Sequence, residues 1–151
     1  MDKVKTALAR IAGKRVYLDA NLFIYFLAKN EHYFPAAAHF LEAAHNRQFF
    51  AVTGKAVIAE VMVNPYRVGN PEQIAKFKQF FAQDFIAVVD HANHLFDTAS
   101  MYAGTRRLGL MDAFHFATAL DAGCEAMISN DQKLIRQIGL DVIGLDDLIA
   151  N

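Results

Sequence analysis

Short apolar runs, rich in β-branched and aromatic residues, alternate along this sequence with longer segments of helical periodicity. The runs that we interpret as strands are RVYL, QFFAVT, FIAVV, EAMIS and DVIGL. Because helix-length segments separate most of them, the strands are expected to be joined by crossovers, which is typical of a parallel sheet. The sequence therefore predicts an α/β fold of three layers, α/β/α, with a central parallel sheet of about five strands.

The segments between the strands also predict where helices begin and end. NLFIYFLA is predicted to be a helix capped by Asn21, and KAVIAEVMV a helix that stops at Asn64 because Pro65 follows. Asp112 and Asp131 stand where the N-caps of two later helices are expected. The other predicted helices are FPAAAHFLEAAHNR, NPEQIAKFKQFFAQ, HANHLFDTASMYAGTRR, MDAFHFATALDAG and QKLIRQI.

Length and composition limit the kinds of protein this chain can be. With 151 residues, 54% of them hydrophobic, the chain can form a sizeable core, so we predict a single domain over residues 1–151. The 15 Lys and Arg against 16 Asp and Glu give no strongly cationic surface, so composition neither indicates nor excludes nucleic acid. A single cysteine, Cys124, excludes an internal disulfide, and no uninterrupted apolar segment is long enough to span a membrane. We therefore expect a soluble, cytoplasmic protein.

Four acidic residues stand out by their positions. Asp19 ends the first predicted strand and Asp131 follows EAMIS by one residue, and ligands of parallel sheets bind beyond the carboxyl ends of strands. Asp112 begins a helix after a turn at Gly109, and Glu60 interrupts the apolar helix AVIAEVM. Taken singly, Asp112 and Asp131 are explained as N-caps and Glu60 by a solvated helix edge. Taken together, the four acids favour a common cluster.

A cluster of carboxylates has a chemical consequence. Without lysine or arginine between them, carboxylates repel one another and raise one another's pKa, so a bound cation stabilises the cluster. Carboxylate oxygens suit Mg²⁺ or Mn²⁺, which also bind phosphate oxygens. Such ions can activate water and offset the charge on a leaving oxygen during phosphodiester cleavage. The acids therefore predict metal-dependent phosphate-transfer chemistry.

Four segments of the sequence resemble the PIN domain family, and most of all the VapC-type toxins of bacterial toxin–antitoxin pairs. They are VYLDANLFIYFL, VTGKAVIAEVMVNPYR, GLMDAFHFATALDAGCEAMISNDQKL and VIGLDDL. The third is the most specific, because a helix that opens with Asp, runs through ATAL, turns at Gly and leads to SND at a strand edge is a long ordered signature. One departure is Gly54, where relatives often carry Ser or Thr, and it predicts that a polar contact near Glu60 is missing.

The resemblance implies a PIN-like α/β fold and an endoribonuclease that depends on Mg²⁺ or Mn²⁺. The carboxylates of its acidic pocket would be Asp19, Glu60, Asp112 and Asp131. The family positions that hydrogen-bond these carboxylates or the metal-bound waters are Asn21, Ser129 and Asn130. Similar proteins form homodimers, are inhibited by a small antitoxin protein whose tail enters the acidic groove, and cut a structured or translation-associated RNA.

Basic and histidine side chains near the acids are candidate RNA contacts. Arg106 and Arg107 precede the Asp112 helix, where they could hold RNA phosphates, although positive charge at a helix C-terminus explains them equally well. Lys133 is a similar candidate at the predicted rim. His115 follows Asp112 by three positions and could share its helix face as a substrate contact, with a core histidine as the favoured alternative.

Two other functions remain open at this point. A lone acid after a first strand, such as Asp19, can accept a phosphoryl group, but Asn21 stands where the second acid of such sites is expected. The second alternative is a PIN-like module that binds RNA or a partner protein without cleaving it, although the presence of all four acids favours the nuclease. His91 and His94 stand three apart without a third ligand, which is only a weak indication of zinc.

Overall fold

A computed structural model of the protein describes residues 2–149, in which five strands form one sheet. The strands are β1 (Arg15–Leu18), β2 (Phe50–Gly54), β3 (Ile86–Val89), β4 (Ala126–Ile128) and β5 (Asp141–Ile143). All neighbours are parallel, and the order across the sheet is β3-β2-β1-β4-β5. The chain therefore builds the sheet outward in one direction from β1 and then in the other, which makes the gap between the carboxyl ends of β1 and β4 a topological switch point, where parallel sheets bind ligands.

The remaining elements of the described residues are helices, and they cover both faces of the sheet. They are α1 (Asp2–Ile11), α2 (Ala20–Leu27), α3 (Phe34–His45), α4 (Lys55–Val68), α5 (Pro71–Phe81), α6 (His94–Arg106), α7 (Leu110–Asp121), α8 (Gln132–Ile135) and α9 (Asp146–Ile149). The predicted three-layer fold with a parallel sheet of five strands is confirmed. Among the described residues, no helix is long and apolar enough to cross a membrane.

The core lies on both sides of the central strands. Val16 and Leu18 of β1 and Met127 and Ile128 of β4 are fully buried, because helices pack against both sheet faces and neither face meets water. At the edge of the sheet, Val88 of β3 is 38% exposed. The two central strands are therefore the rigid part of the fold, and the candidate site lies at their carboxyl ends.

The acid that directly follows β1 caps the next helix, α2. Asp19 has extended backbone dihedrals, and its Oδ1 accepts the Ala20 N–H at 2.8 Å, so α2 starts at Ala20. The prediction that Asn21 caps this helix is therefore wrong, since Asn21 already lies inside the first turn. The chain passes from β1 into α2 through the single residue Asp19, which fixes its carboxylate at the strand end.

The two predicted N-caps at Asp112 and Asp131 have different outcomes. Asp131 does cap α8, because its Oδ1 accepts N–H groups from Lys133 and Leu134. Asp112 does not cap α7, because Gly109 is the N-cap and Asp112 lies in the first turn of the helix. An N-cap role therefore does not explain Asp112.

The prediction that α4 stops at Asn64 is also wrong, since the helix continues to Val68. Pro65 has no N–H and so removes one hydrogen bond of the helix. Its carbonyl is unaffected and accepts the Gly69 N–H at 2.9 Å, and Pro65 itself is buried. Gly69 has φ +76°, the left-handed conformation in which helices commonly end.

Candidate active site

Asp19 and Ser129 meet at the switch point between β1 and β4. The Ser129 hydroxyl donates to Oδ2 of Asp19 at 2.8 Å, while the Ala20 N–H occupies Oδ1. Ser129 Oγ also accepts the Asp131 N–H at 3.1 Å, so one hydroxyl joins the two acidic segments. Asp19 is only 6% exposed, and this burial raises its pKa against the effect of its hydrogen bonds. The predicted supporting contact of Ser129 is present in the structure.

Asp112 and Asp131 form a second pair of acids beside Asp19. Burial, the hydrogen bond to Asp131 and the negative charges of Asp131 and Asp19 together raise the pKa of Asp112 to about 7. Burial acts to raise the pKa of Asp131 as well, but the hydrogen bonds that it accepts from Asp112 and from backbone N–H groups lower it. Asp112 therefore holds a proton that Asp131 shares, as expected of carboxylates forced together without a cation.

Glu60 belongs to the same site but has a different neighbour. Its side chain on α4 is 41% exposed, and its Oε1 is hydrogen-bonded to Nε2 of His115 on α7. The other ring nitrogen of His115 lies 2.9 Å from the hydroxyl of Tyr17 on β1. His115 is 1% exposed, so its ring lies beneath Glu60 and does not offer the surface contact with substrate that we considered. The negative charge of Glu60 contributes to the raised pKa of Asp19, so Glu60 lies near the acids of the switch point.

The amides predicted to support the acids lie close to them. Asn130 donates from Nδ2 to the Tyr25 hydroxyl at 3.3 Å and accepts the Asp146 N–H at 3.0 Å. It therefore fixes the loop between Ser129 and Asp131 instead of contacting a carboxylate. Asn21 is half-buried in the first turn of α2, next to Asp19.

The basic candidates Arg106, Arg107 and Lys133 are all exposed. Arg106 lies with its guanidinium 4.3 Å from the ring centroid of Tyr102, which is a cation–π contact on the surface of α6 and α7. Arg107 follows α6 in the left-handed conformation. Lys133 is exposed on α8, and its charge contributes to the lowered pKa of Asp131. Lys133 is thus the basic candidate that the structure places beside the acids.

Sequence reasoning did not identify the structural role of His91. Its Nε2 accepts the Ala56 N–H at 3.0 Å and its Nδ1 lies 3.0 Å from Thr118 Oγ1, so it links the start of α4 to α7. Gly54, the N-cap of α4, has no side chain, and His91 satisfies the helix end in its place. With both ring nitrogens occupied, His91 is explained without zinc.

The structure also explains Gly54. A Cβ at this position would lie 2.6 Å from Cε1 of His91 and 2.6 Å from the Tyr17 hydroxyl, closer than such atoms approach. The space that a side chain at position 54 would need is filled by Tyr17 and His91. Burial is the main cause of the raised pKa of Tyr17, so its hydroxyl keeps its proton and remains a donor.

The donor set determines which ion these residues fit. Within residues 2–149, no group of three or more His, Cys, Asp or Glu side chains is arranged so that it could hold a metal ion. Burial and the nearby charges of Asp131 and Asp19 nevertheless raise the pKa of Asp112, so these carboxylates are close neighbours. A divalent cation relieves the same repulsion as the proton of Asp112, and carboxylate oxygens suit Mg²⁺ and Mn²⁺. By their donor chemistry, these carboxylates therefore suit such an ion.

Comparison with protein families matches residues 16–139 to the PIN domain. The chain belongs to the PIN domain family. The matched region runs from β1 through α8, so it includes all four acids of the site. PIN domains are nucleases, which agrees with the chemistry that the acids predict. Comparison with curated protein sequences gives no match.

Three solved structures with the same fold are described as toxins or toxin–antitoxin complexes. A toxin–antitoxin complex from Klebsiella pneumoniae has a TM-score of 0.67 and 18% identity, covering 86% of this PIN domain chain and 97% of that chain. VapC20 of Mycobacterium tuberculosis, a toxin that cleaves the sarcin-ricin loop, has a TM-score of 0.68 and 13% sequence identity. The likeness covers 84% of this chain and 98% of that chain. VapBC2 of Rickettsia felis, bound to a DNA fragment from its promoter, has a TM-score of 0.66 and 16% sequence identity. The likeness covers 86% of this chain and 98% of that chain. At these identities the likeness establishes the PIN fold.

Proposed function

We propose that this PIN domain is a metal-dependent endoribonuclease and the toxin of a toxin–antitoxin pair. The observation that carries the proposal is the group of Asp19, Asp112 and Asp131 at the switch point, where Asp112 keeps a proton up to a pH of about 7. An acidic site that stores a proton in this way is suited to exchange it for a divalent cation. Membership in a nuclease family supports the same reading.

Each residue of the site has a role in the proposed reaction. Asp19, Asp112, Asp131 and Glu60 would hold Mg²⁺ or Mn²⁺. When bound, the ion supplies activation of water and charge compensation at the RNA phosphate. Ser129 keeps the Asp19 carboxylate in place through its hydrogen bond to Oδ2. Lys133, whose charge acts on Asp131, and the exposed Arg107 would offer positive charge to the RNA backbone.

The partners in the proposal are RNA, a cognate antitoxin protein and a second copy of the chain in a homodimer. Support comes from the proteins of the same fold, which include toxin–antitoxin complexes and a toxin that cleaves the sarcin-ricin loop. We infer by analogy that the substrate here is a structured or translation-associated RNA. The place of action in this proposal is the cytoplasm, where such RNA is found.

The test is cleavage of mixed total RNA by the purified protein with Mg²⁺ or Mn²⁺. We expect discrete fragments with either ion and none with EDTA. Asp112→Asn should lower the cleavage rate by at least about 100-fold, because a carboxylate that stabilises the transition state through the ion contributes several kcal/mol. The matched control is Asp121→Asn, which changes an exposed acid at the other end of α7, paired with His94. It should cleave at the wild-type rate.

Three outcomes would contradict the proposal. Fragments that persist in EDTA would exclude the divalent ion as a requirement. Equal rates for Asp112→Asn and wild type would exclude the acidic pocket as the place of reaction. RNA that is bound and protected but never cut with either ion would favour the binding module instead.

A further inference from the structure

A chain of buried polar groups leads from the end of β2 to the carboxylate of Glu60. The Gly54 backbone N–H is hydrogen-bonded to the Tyr17 hydroxyl, which lies 2.9 Å from Nδ1 of His115. Nε2 of His115 is in turn hydrogen-bonded to Oε1 of Glu60. Tyr17 and His115 are 0% and 1% exposed, so water does not replace these partners, and buried polar groups must be satisfied within the chain.

The chemistry of the groups fixes the direction of the hydrogen bonds. An ionised carboxylate only accepts, so His115 donates from Nε2 to Glu60. The protonated Tyr17 hydroxyl donates its hydrogen to Nδ1 of His115, because its other partner, the Gly54 N–H, is itself a donor. The Gly54 N–H donates a hydrogen bond to the oxygen of the same hydroxyl. The ring of His115 is therefore held in one tautomer and one orientation.

We propose that His115, held by Tyr17, is a positioning residue that presents Glu60 to the divalent cation of the acidic pocket. This inference rests on the proposed function. Glu60 is a long side chain on a half-exposed helix face, and the hydrogen bond from a buried ring restrains it. Because Oε1 is engaged by His115, Oε2 is left to bind the cation. Side chains that orient metal ligands in this way usually change metal affinity or activity 10–100-fold when removed.

The test measures Mn²⁺ binding to the purified full chain by calorimetry, with RNA cleavage kinetics as a second readout. We expect His115→Leu to weaken Mn²⁺ binding by about 10–100-fold. His115→Gln, whose side-chain N–H can still reach Glu60, should retain most of the affinity. Tyr17→Phe should lie between them, because the ring loses the donor at Nδ1. His94→Leu is the matched control, since this exposed histidine pairs with Asp121 and should leave Mn²⁺ affinity unchanged.

A double-mutant cycle separates positioning from a general effect on folding. In a Glu60→Gln background, where the carboxylate is already lost, His115→Leu should cause no further loss of Mn²⁺ affinity. An equal loss in both backgrounds, or unchanged affinity in His115→Leu, would overturn the proposal. Should His115→Leu not fold, Tyr17→Phe takes its place in the cycle, and its smaller loss should likewise vanish in the Glu60→Gln background.

The result also distinguishes this inference from the proposed function. Wild-type protein that binds Mn²⁺ and cleaves RNA, together with a His115→Leu variant of equal affinity, overturns the positioning role alone. Wild-type protein that neither binds Mn²⁺ nor cleaves RNA with any divalent ion overturns both.

Discussion

At the scale of single residues, the proton of Asp112 is the property of the site that can be measured without substrate. The pKa of this carboxyl is raised from about 3.8 to about 7, first by burial and then by its neighbours Asp131 and Asp19. The folded protein therefore binds a proton that the unfolded chain has already released between these two values. Stability gained from that proton is fully present below pH 4 and is lost as the pH rises through 7.

We therefore expect the free energy of unfolding, measured with urea in EDTA, to fall between pH 4 and pH 7. Asp112→Asn should reduce this slope, because the amide cannot titrate, while Asp121→Asn should keep it. The lowered pKa of Asp131 acts with the opposite sign, but only below its usual value and so outside this range. Saturating Mn²⁺ should remove most of the slope and stabilise the protein by about 2.7 kcal/mol at 100 times its Kd. A wild-type slope in Asp112→Asn would show that another group holds the proton.

At the scale of helices and strands, most of the architecture could be predicted from periodicity, and the errors have physical reasons. The end of α4 was mispredicted because a proline removes one N–H but leaves its carbonyl, and burial of Pro65 favours continuing the helix. Helix α1 was not predicted, although Val4, Ala7 and Ile11 recur at helical spacing and are buried. Asp19 and Asp131 could be predicted because they follow strands, and Glu60 because it interrupts an apolar helix. The roles of Tyr17 and His91 could not be found, because their partners lie on distant elements.

The start of α4 depends on His91, and this gives a prediction at the same scale. His91→Ala should lower the free energy of unfolding by about 1 kcal/mol, the usual cost of losing an N-cap contact. For a chain of this size that corresponds to a melting temperature lower by about 2–4 °C. His94→Ala, which removes an exposed pair with Asp121, should cost less, since such pairs contribute about 0–1 kcal/mol. Equal losses in both variants would contradict the capping role of His91.

At the scale of the whole molecule, an apolar surface lies beside the acidic site. On α6 and α7 the side chains of Phe96, Met101, Leu110 and Met111 are between 44% and 60% exposed. A cavity of about 210 Å³ on this surface is lined by Phe96, Leu110, Met111 and Phe114. Contiguous apolar surface of this kind marks protein–protein contact sites. Because Leu110 and Met111 directly precede Asp112, a subunit bound here would border the acidic pocket.

This surface is where we expect the proposed homodimer to form. Sedimentation of the wild type should give a dimer, and Leu110→Glu should shift it to monomer, because a charge placed in an apolar interface remains unpaired. The matched control is Tyr66→Glu, which alters an exposed aromatic residue on α4. It should leave the dimer intact. A wild-type monomer at all concentrations would exclude the homodimer, and an unaffected Leu110→Glu dimer would place the interface elsewhere.

The close approach of Tyr17 and His91 to Gly54 has a consequence for how this sequence can change. A larger residue at 54 cannot be introduced alone, because its Cβ would overlap both side chains. Exchanges at position 54 are therefore tied to smaller residues at 17 and 91, and with Tyr17 the support of His115 is also lost. A change at position 54 is therefore expected only together with changes at 17 and 91, and each such combination alters how Glu60 is held.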